Sequence, residues 1–427
     1  MDVVHPVCVG MDISKTDAKV CVRVQGDHGR ASQEVTTWGA TSRQILELAD
    51  DLAGRRVTCV VMEATGDYWK PFYLLMEAAG LPVMLVNARQ ARQIPGRKTD
   101  VNDAMWLADL AAHGLLHASF VPPADIRELK DLVRARTTMT RLRTQEIQRL
   151  EKLLESAAIK LSSVISSLNS VSGRRMLEAL IDGERDPNTL AGLADGRLKA
   201  TPEQLSEALT GRFTDHHGFL ARLHLDMIDE YTAKIDLLTQ RIDVYFADQS
   251  GDDTSTVMTP AQARDLLVTI PGLSDTSAQQ VIAEIGTDMS RFPTPAHLAS
   301  WAGVAPGANE SAGKTKSTKC RPGDTYLKGT LGICARSLIK ADDTFFAARY
   351  RRVLARRGKP VALVALMRTI LEAVWHVLTT QQPYQDLGAD YYTRRRPGSA
   401  ISAALARLRD AGCTIQVTPN GILINQT

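Results

Sequence analysis

The sequence has few cysteines and no pair of them at the spacing of a metal site or a redox motif. The six cysteines are far apart and form no CxxC pair: Cys8, Cys21, Cys59, Cys320, Cys334 and Cys413. This spacing gives no support to a zinc site or a disulfide framework. Most of the cysteines lie in apolar segments, which predicts buried thiols in a reducing compartment.

Long apolar runs are also missing. No run of consecutive apolar residues approaches the ~18 needed to cross a bilayer, and the first residues lack the layout of a signal peptide. We therefore expect a cytoplasmic protein without a membrane partner. The 427 residues, 44% hydrophobic and 23% charged, are typical of a globular chain and predict two or three domains.

Charge is unevenly distributed along the chain. The formal net charge is only +3, but residues 314–359 contain 13 Lys or Arg against three Asp, a net charge of +10. The remaining residues therefore carry −7. Such a division predicts one basic surface that binds a polyanion.

The first part of the chain has the pattern of an α/β domain. An apolar run over 7–13 predicts a buried strand that includes Asp12, and alternating valines over 20–24 predict a second strand. Helices are expected over 41–53 and 69–80, with strands over 57–63 and 83–87. This order favours a largely buried sheet in a domain of residues 1–122.

The rest of the chain is predicted to be mainly helical. We expect a long-helix region over 123–250, with one helix over 125–160 and irregular structure over 161–217. A heptad seam then follows, formed by Ile228, Tyr231, Ile235, Leu238, Ile242 and Tyr245. It fits either a helix pair packed within one subunit or a self-associating coiled coil. A polar linker over 249–260 leads to a C-terminal domain over 261–382 and a basic extension over 383–427.

A turn early in the C-terminal domain resembles a helix-hairpin-helix. Ile270-Pro271-Gly272-Leu273 precedes a helical segment from Ser274 to Glu284. In such a turn, backbone N–H groups at a helix start face the nucleic-acid backbone.

Four carboxylates of the first domain could converge on one point. Asp12 lies in the first strand, Glu63 ends a later strand, and Asp100 and Asp103 are on one face of a predicted helix. Oxygen ligands suit Mg²⁺ or Mn²⁺, and two such ions would clamp a phosphodiester displacement. Each residue also has an ordinary alternative, as a helix cap, a strand end or a solvated position. Asp17 and Asp67 are interpreted as solvated turn residues.

The same residues resemble a known family. Gly10-Met11-Asp12-Ile13-Ser14-Lys15, Glu63-Ala64-Thr65-Gly66 and Lys98-Thr99-Asp100-Val101-Asn102-Asp103-Ala104 resemble the DEDD motif of IS110 family transposases, which are related to Piv DNA invertases. A second block resembles the C-terminal domain of that family: Ile270-Pro271-Gly272, Phe292 to Gly303, Pro306 to Lys314, Gly323-Asp324 and Tyr326-Leu327. The resemblance covers 5–120 and 262–380.

The resemblance implies a fold and an activity. The N-terminal domain would have a RuvC-like, RNase H-type fold whose carboxylates bind a divalent metal. A serine of the C-terminal transposase domain would attack the phosphodiester and form a phosphoserine intermediate. The implied partners are donor and target DNA, a noncoding bridge RNA that guides the reaction, and further copies of the chain, as dimers that combine into a tetramer.

The serine that best matches the family pattern is Ser311, within Pro306 to Lys314. The family has Gly directly after this serine, whereas Ala312 intervenes here, so Ser317 is a rival. A serine hydroxyl needs a base or a metal to activate it. No His partner is evident in the sequence, which favours the metal.

Basic residues near both predicted sites are expected to contact nucleic acid, through phosphates or through RNA shape. They are Lys15, Arg97, Lys98, Lys314, Lys316, Lys319, Arg321, Lys328, Arg351 and Arg352. The leading hypothesis is thus an RNA-guided, metal-dependent DNA recombinase. The alternatives are a RuvC-like structure-specific nuclease without a serine step and a non-catalytic nucleic-acid-binding protein.

Overall fold

The protein, described here by a computed structural model, divides into two compact units. The units are Met1–Val121 and Pro122–Thr427. The structure describes residues 3–26, 30–64, 66–87, 100–196, 198–248, 258–307, 309–311, 314–395, 397–418 and 421–426.

A five-stranded mixed sheet forms the centre of the first unit. Its strands are β1 (Val7–Ile13), β2 (Asp17–Gln25), β3 (Ala31–Gly39), β4 (Cys59–Glu63) and β5 (Val83–Val86), in the order β3-β2-β1-β4-β5. The first three strands pair antiparallel, whereas β4 is parallel to β1 and β5 is parallel to β4. This is the RuvC-like, RNase H-type arrangement, and the α/β prediction is confirmed.

The prediction missed β3, since it had two strands before the first helix. The side chains of β3 are exposed or half-buried along its whole length. Because β3 is an edge strand, it has no apolar run and only a weak apolar–polar alternation, the two features by which strands are recognised in a sequence.

Helices cover both faces of the sheet. The helices α1 (Ser42–Gly54) and α2 (Trp69–Ala78) enclose one apolar cluster, and α3 (Asp100–Ala112) covers the other face. The second cluster contains the buried Cys8, Cys21 and Cys59. Burial raises the pKa of these thiols to about 11, 12 and 11, respectively. Buried thiols were predicted, and Cys334 is buried as well, whereas Cys320 is half-buried.

Two long helices run side by side in the second unit. They are α4 (Ala124–Ser156) and α9 (Asp215–Asp248). Tyr245 lies near Asp125 and His224 near Glu146, so the helices are antiparallel. Of the predicted heptad seam, Ile228 and Ile242 are buried and the other four residues are half-buried.

Four short helices lie between the two long ones in the sequence, over the span where irregular structure was predicted. They are α5 (Leu161–Val164), α6 (Val171–Ile181), α7 (Pro187–Ala191) and α8 (Pro202–Leu209). Their apolar residues share one core with Leu150 and Leu154 of α4 and with Leu225 of α9. This segment is thus a helical cap on the helix pair.

The remainder of the second unit is mainly helical. Its elements are α10 (Pro260–Val268), α11 (Asp275–Ile285), the 3₁₀ turn Met289–Arg291, α12 (Pro295–Trp301), β6 (Asn309–Ser311), β7 (Lys314–Ser317), α13 (Thr325–Leu338), α14 (Phe345–Arg357), α15 (Lys359–Thr380), α16 (Tyr391–Arg395), α17 (Pro397–Asp410), β8 (Cys413–Thr418) and β9 (Gly421–Gln426). The pair β6–β7 is an antiparallel hairpin, as is β8–β9.

In the part of the chain that the structure describes, α15 is long and apolar enough to cross a bilayer. Polar residues interrupt its sequence, so it contains no long uninterrupted apolar run. It packs against α12, α13 and α14, with Leu366, Ile370 and Leu371 fully buried. These contacts are those of a core helix.

Candidate functional site

Asp12 and Glu63 lie at the same end of neighbouring parallel strands. In the β1–β4 ladder Gly10 is opposite Val61, and Met11 is opposite Met62. One step further in the same register brings Asp12 level with Glu63. Both residues are half-buried and have interaction partners within the protein. The register therefore places two carboxylates side by side at the carboxyl end of the sheet.

Both residues also belong to the sheet face that α3 covers. Side chains alternate between faces along a strand. Cys8 of β1 and Cys59 and Val61 of β4 pack in the cluster with α3. Asp12 and Glu63 follow these residues at even spacing, whereas Val9 and Met62 pack on the opposite face.

A glycine permits α3 to approach β1 at this end. A Cβ at Gly10 would lie 2.1 Å from the carbonyl oxygen of Ala104 and 2.5 Å from the amide nitrogen of Ala108. The helix backbone thus rests directly on the strand, two residues before Asp12. Asp103 is next to Ala104 and is half-buried, so this contact brings Asp103 to the same region.

Asp100 is the first residue of α3. Its side chain, like Arg97 and Lys98 as a whole, lies outside the described residues. Within those residues, no group of three or more His, Cys, Asp or Glu side chains could hold a metal ion. The structure thus brings Asp12 and Glu63 together and α3 close to them, without forming a complete ligand set from described side chains. The donors are all carboxylate oxygens, the ligand type that Mg²⁺ and Mn²⁺ prefer.

Two residues that support this region were not predicted from the sequence. One is Gly10, and the other is Asp109 of α3, which accepts a hydrogen bond of 2.9 Å from the buried Arg23 of β2. The available signal for Gly10 was a glycine inside an apolar strand, which often marks close backbone approach. The Arg23–Asp109 pair spans 86 positions and leaves no local pattern.

Ser311 lies at the tip of the β6–β7 hairpin. Its backbone pairs with Lys314, at the end of the ladder opposite to the Asn309–Ser317 pair. The side chains of Ser311, Lys314 and Lys316 are not among those described. Ser317 lies at the opposite end of the hairpin, and its hydroxyl accepts a hydrogen bond from the backbone N–H of Lys319 at 3.1 Å.

The base of this hairpin is closely packed. A Cβ at Gly307 would lie 2.6 Å from the carbonyl oxygen of Lys319, and one at Gly303 would lie 2.8 Å from the Cα of Gly323. Gly303 and Gly323 both have positive φ, +71° and +59°. Only glycine suits such close contacts combined with this backbone conformation.

Ion pairs connect the end of this base to α4. Asp324 caps α13 by accepting from the N–H of Leu327 at 2.8 Å, and it also accepts from Arg134 at 2.9 Å. The Arg134 guanidinium donates two further bonds of 2.8 Å to the buried Glu284, which also pairs with Lys130 at 3.0 Å. The helix α4 thereby holds both α11 and the start of α13.

The other predicted nucleic-acid contacts differ in exposure. Lys15, Lys319 and Arg321 are exposed. Lys328 is half-buried and donates to the carbonyl oxygen of Pro322 at 3.1 Å. Arg351 pairs with Asp342 at 3.2 Å. Arg352 is half-buried, with its guanidinium 4.7 Å from the centre of the Tyr392 ring.

The helix-hairpin-helix prediction falls on α10 and α11. Their connection contains Gly272, with φ of +85°, and Ser274 caps α11 by accepting from the N–H of Ser277. Residues 274–276 are exposed, whereas Ala278 and Val281 are fully buried. The start of α11 therefore faces solvent while the rest of the helix packs in the core.

Comparison with known proteins gives a consistent result over both units. A transposase family model carrying the DEDD motif of IS110 matches residues 9–159, and the model of the transposase IS116/IS110/IS902 family matches residues 264–351. The chain is 22% identical to the transposase for insertion sequence element IS1111A of Coxiella burnetii, covering 88% of this chain and 91% of that protein. It is 25% identical to the insertion element IS900 uncharacterized 42 kDa protein of Mycobacterium paratuberculosis, covering 89% and 97%, respectively.

Among solved structures, the chain is similar to Thermus thermophilus RuvC, with 14% identity and a TM-score of 0.22. The match covers 26% of this chain and 99% of RuvC. RuvC in complex with a Holliday junction substrate gives 16% identity and a TM-score of 0.21, at the same coverage. The two family models together match more than half of the sequence, in the order of its two units. The chain therefore belongs to the IS110 family of DEDD transposases, enzymes that recombine DNA.

Proposed function

We propose that this transposase cuts and rejoins DNA strands with a divalent-metal carboxylate site and a serine nucleophile. The metal ligands are Asp12, Glu63, Asp100 and Asp103, and the nucleophile is Ser311. The observation that carries the proposal is the β1–β4 register, which aligns Asp12 with Glu63 on the sheet face that α3 covers. Carboxylates are seldom placed together inside a fold unless a cation offsets their repulsion.

The covalent step exchanges one ester for another. The Oγ of Ser311 attacks phosphorus, an O–P bond forms, and the strand's bridging P–O bond breaks. The leaving strand departs as a hydroxyl that has gained the serine proton. The reverse attack by the hydroxyl of another strand joins the DNA and frees Ser311. A bound divalent cation supplies Lewis-acid polarisation of the phosphate oxygens.

Ser311 is preferred to Ser317 on structural grounds. Ser311 forms the pair with Lys314 that ends the β6–β7 ladder. The Ser317 hydroxyl already accepts the Lys319 N–H in a local turn, a structural role typical of serine. The two residues are thus a matched pair for substitution.

The decisive experiment is strand exchange on a labelled DNA junction with Mg²⁺. Ser311→Ala should abolish both joining and the covalent protein–DNA adduct, while Ser317→Ala should retain both. If Ser311→Ala still forms the adduct, the nucleophile is wrong. Asp12→Asn should lower strand cleavage by more than about 100-fold, since even groups that only orient metal ligands contribute 10- to 100-fold. Cleavage that survives Asp12→Asn would contradict the metal site.

We also propose that a noncoding bridge RNA guides the reaction and that the active form is a tetramer built from dimers. The support is the family membership together with the +10 charge of residues 314–359. Like charges at this density would repel one another without a polyanionic partner. Recombination by RNase-treated protein without added RNA would contradict guidance. Light scattering of the assembled complex would report the number of subunits.

A nuclease without a serine step is the second candidate function, since the sheet and its carboxylates belong to the RuvC-like fold. It predicts that Ser311→Ala cleaves DNA at the wild-type rate and that no adduct forms with either protein.

A further inference from the structure

A pocket in the C-terminal part of the chain is lined by arginine and aromatic side chains. It has a volume of about 360 Å³ and lies where α14, α15 and α16 meet. Three aromatic residues and three arginines dominate its wall: Phe345, Tyr391, Tyr392, Arg349, Arg352 and Arg395. Among its described lining residues, none belongs to the predicted metal site or to the serine hairpin, the β6–β7 pair that carries Ser311.

The three arginines contact aromatic residues. Arg352 lies over the Tyr392 ring, with 4.7 Å from its Cζ to the ring centre. Arg395 donates to the Tyr391 hydroxyl at 2.7 Å, and Arg349 donates to the Tyr392 hydroxyl at 3.4 Å. Within the described residues, none of the three forms an ion pair with a carboxylate.

The arginines next to two of these in the sequence pair with carboxylates instead. Arg351, next to Arg352, pairs with Asp342, and Arg394, next to Arg395, pairs with Asp390. The acidic residue of the pocket wall, Glu372, pairs with Arg368 at 2.7 Å. The pocket therefore concentrates positive charge that the described residues leave without a carboxylate partner, which favours an anionic ligand.

The aromatic rings define the second part of the ligand. The rings of Phe345 and Tyr392 are nearly parallel, at 25° with centres 5.8 Å apart, and Tyr391 stands edge-on to both. Aromatic rings beside guanidinium groups bind molecules that join a flat ring to a phosphate. The pocket volume of about 360 Å³ is at the small end of the range of about 300 to 1,000 Å³ for ligand sites, which suits a ligand of the size of one nucleotide.

We propose that this pocket holds one unpaired nucleotide of a nucleic-acid strand, with its base packed against the aromatic wall and its phosphate bound by the arginines. The proposal rests on the function proposed above only in that the enzyme handles nucleic acid. It adds a site that reads the unpaired state of a strand, separate from the residues that break bonds.

Photocrosslinking of the full-length protein tests the site directly. Single-stranded oligonucleotides carrying one 5-iodouracil, as DNA in one arm and RNA in the other, are irradiated with the protein, and the crosslinked peptide is identified by mass spectrometry. Crosslinks at Tyr391 or Tyr392 are expected. The arm that crosslinks more strongly identifies the source of the nucleotide as displaced DNA or RNA. Crosslinks only elsewhere would overturn the proposal.

Two substitutions on α14 provide the matched comparison. Arg352 faces the pocket, whereas Arg356, one turn later, is exposed. Arg352→Gln should weaken single-strand binding about 10-fold and remove the tyrosine crosslink, whereas Arg356→Gln should change affinity less than about 2-fold, because stacking and its adjacent cation contribute about 5- to 100-fold per base. Equal effects of the two substitutions would contradict the pocket.

Two controls separate this site from the catalytic proposal. The binding measurements are repeated in an Asp12→Asn background without metal. The difference between Arg352→Gln and Arg356→Gln should persist there, whether or not the proposed chemistry is correct. Duplex DNA of the same sequence should fail to compete for the tyrosine crosslink. A mononucleotide that competes as well as the oligonucleotide would show a free-nucleotide site instead and overturn the assignment.

Discussion

Glu284 shows how a single buried charge can connect three helices. Its carboxylate, 2% exposed, accepts two hydrogen bonds from Arg134 and pairs with Lys130. Arg134 also reaches Asp324, so α4, α11 and the start of α13 share one network. The partners are 150 and 190 positions apart in the sequence. No local sequence pattern indicates such a network, so it could not be predicted from the sequence.

Removing the Glu284 charge should destabilise the protein strongly. Glu284→Gln leaves Lys130, 17% exposed, without a carboxylate partner, and we expect a loss of about 2 to 4 kcal/mol, near the range for broken buried pairs. Glu230→Gln is the control. The side chain of Glu230 is more than half exposed, so its ion pair with Lys234 should contribute less than about 1 kcal/mol. Urea unfolding of both variants measures the difference, and equal midpoints would contradict the role of the network.

The thiols of the first unit should be protected from reagents. Cys8 and Cys21 are fully buried, whereas Cys320 is half-buried. At pH 8 the buried thiols should react with iodoacetamide about 1,000-fold more slowly than Cys320, because labelling requires opening of a core. Peptide mass spectrometry measures each rate, and comparable rates for Cys8 and Cys320 would contradict the packing of α3 on the sheet.

The same burial predicts how stability depends on pH. The pKa of Cys8 is raised by burial from 9.0 to about 11 in the folded protein, so the neutral thiol is favoured there. Its contribution to stability is present below pH 9 and is lost as the pH rises from about 9 to about 11, when the unfolded chain ionises first. The urea midpoint should fall over this interval, and it should fall less in a Cys8→Ala variant.

At the scale of elements, strands that end in a carboxylate were predictable and their alignment was not. The apolar runs around Asp12 and before Glu63 identify buried strands, and the structure contains β1 and β4 there. The edge strand β3 was not predicted because its side chains are exposed or half-buried. The register between β1 and β4 depends on pairing across 51 positions. Sequence periodicity indicates which face of a strand is buried, but it does not indicate which residues of another strand it pairs with.

Substitution of Gly10 should displace α3. Gly10→Ala places a methyl group 2.1 Å from the Ala104 carbonyl oxygen, so the helix backbone must move. We expect a loss of about 1 to 3 kcal/mol, as for other overpacked sites, and a disproportionate loss of metal-dependent cleavage, since Asp103 adjoins Ala104. Gly54→Ala, where a Cβ meets nothing within 4 Å, is the control. If Gly10→Ala and Gly54→Ala cleave DNA at equal rates, the contact between Gly10 and α3 does not support the proposed metal site.

At the scale of the whole molecule, the charge distribution was readable from the sequence, whereas the surface it forms was not. Of the 13 basic residues of 314–359, 11 fall on the serine hairpin, its base, α13 and α14, whereas Lys340 lies between α13 and α14 and Lys359 begins α15. Some of them have internal roles, such as Arg351 with Asp342 and Arg352 with Tyr392. A count of charges therefore overstates the number that can contact phosphates.

The salt dependence of DNA binding should reveal how many of these residues contact phosphate. Each contact with duplex DNA contributes about 0.9 to the slope of log affinity against log salt concentration. Lys319 and Arg321 are exposed at the base of the serine hairpin, so replacing both with Gln should lower the slope by nearly 2. Lys234→Gln, on a helix of the central region and paired with Glu230 at 2.7 Å, should leave the slope unchanged. Fluorescence anisotropy with a labelled duplex between about 50 and 200 mM salt measures each slope. If Lys319→Gln/Arg321→Gln keeps the wild-type slope, DNA does not reach the hairpin base, and the proposed position of Ser311 at the phosphodiester would lose its electrostatic support.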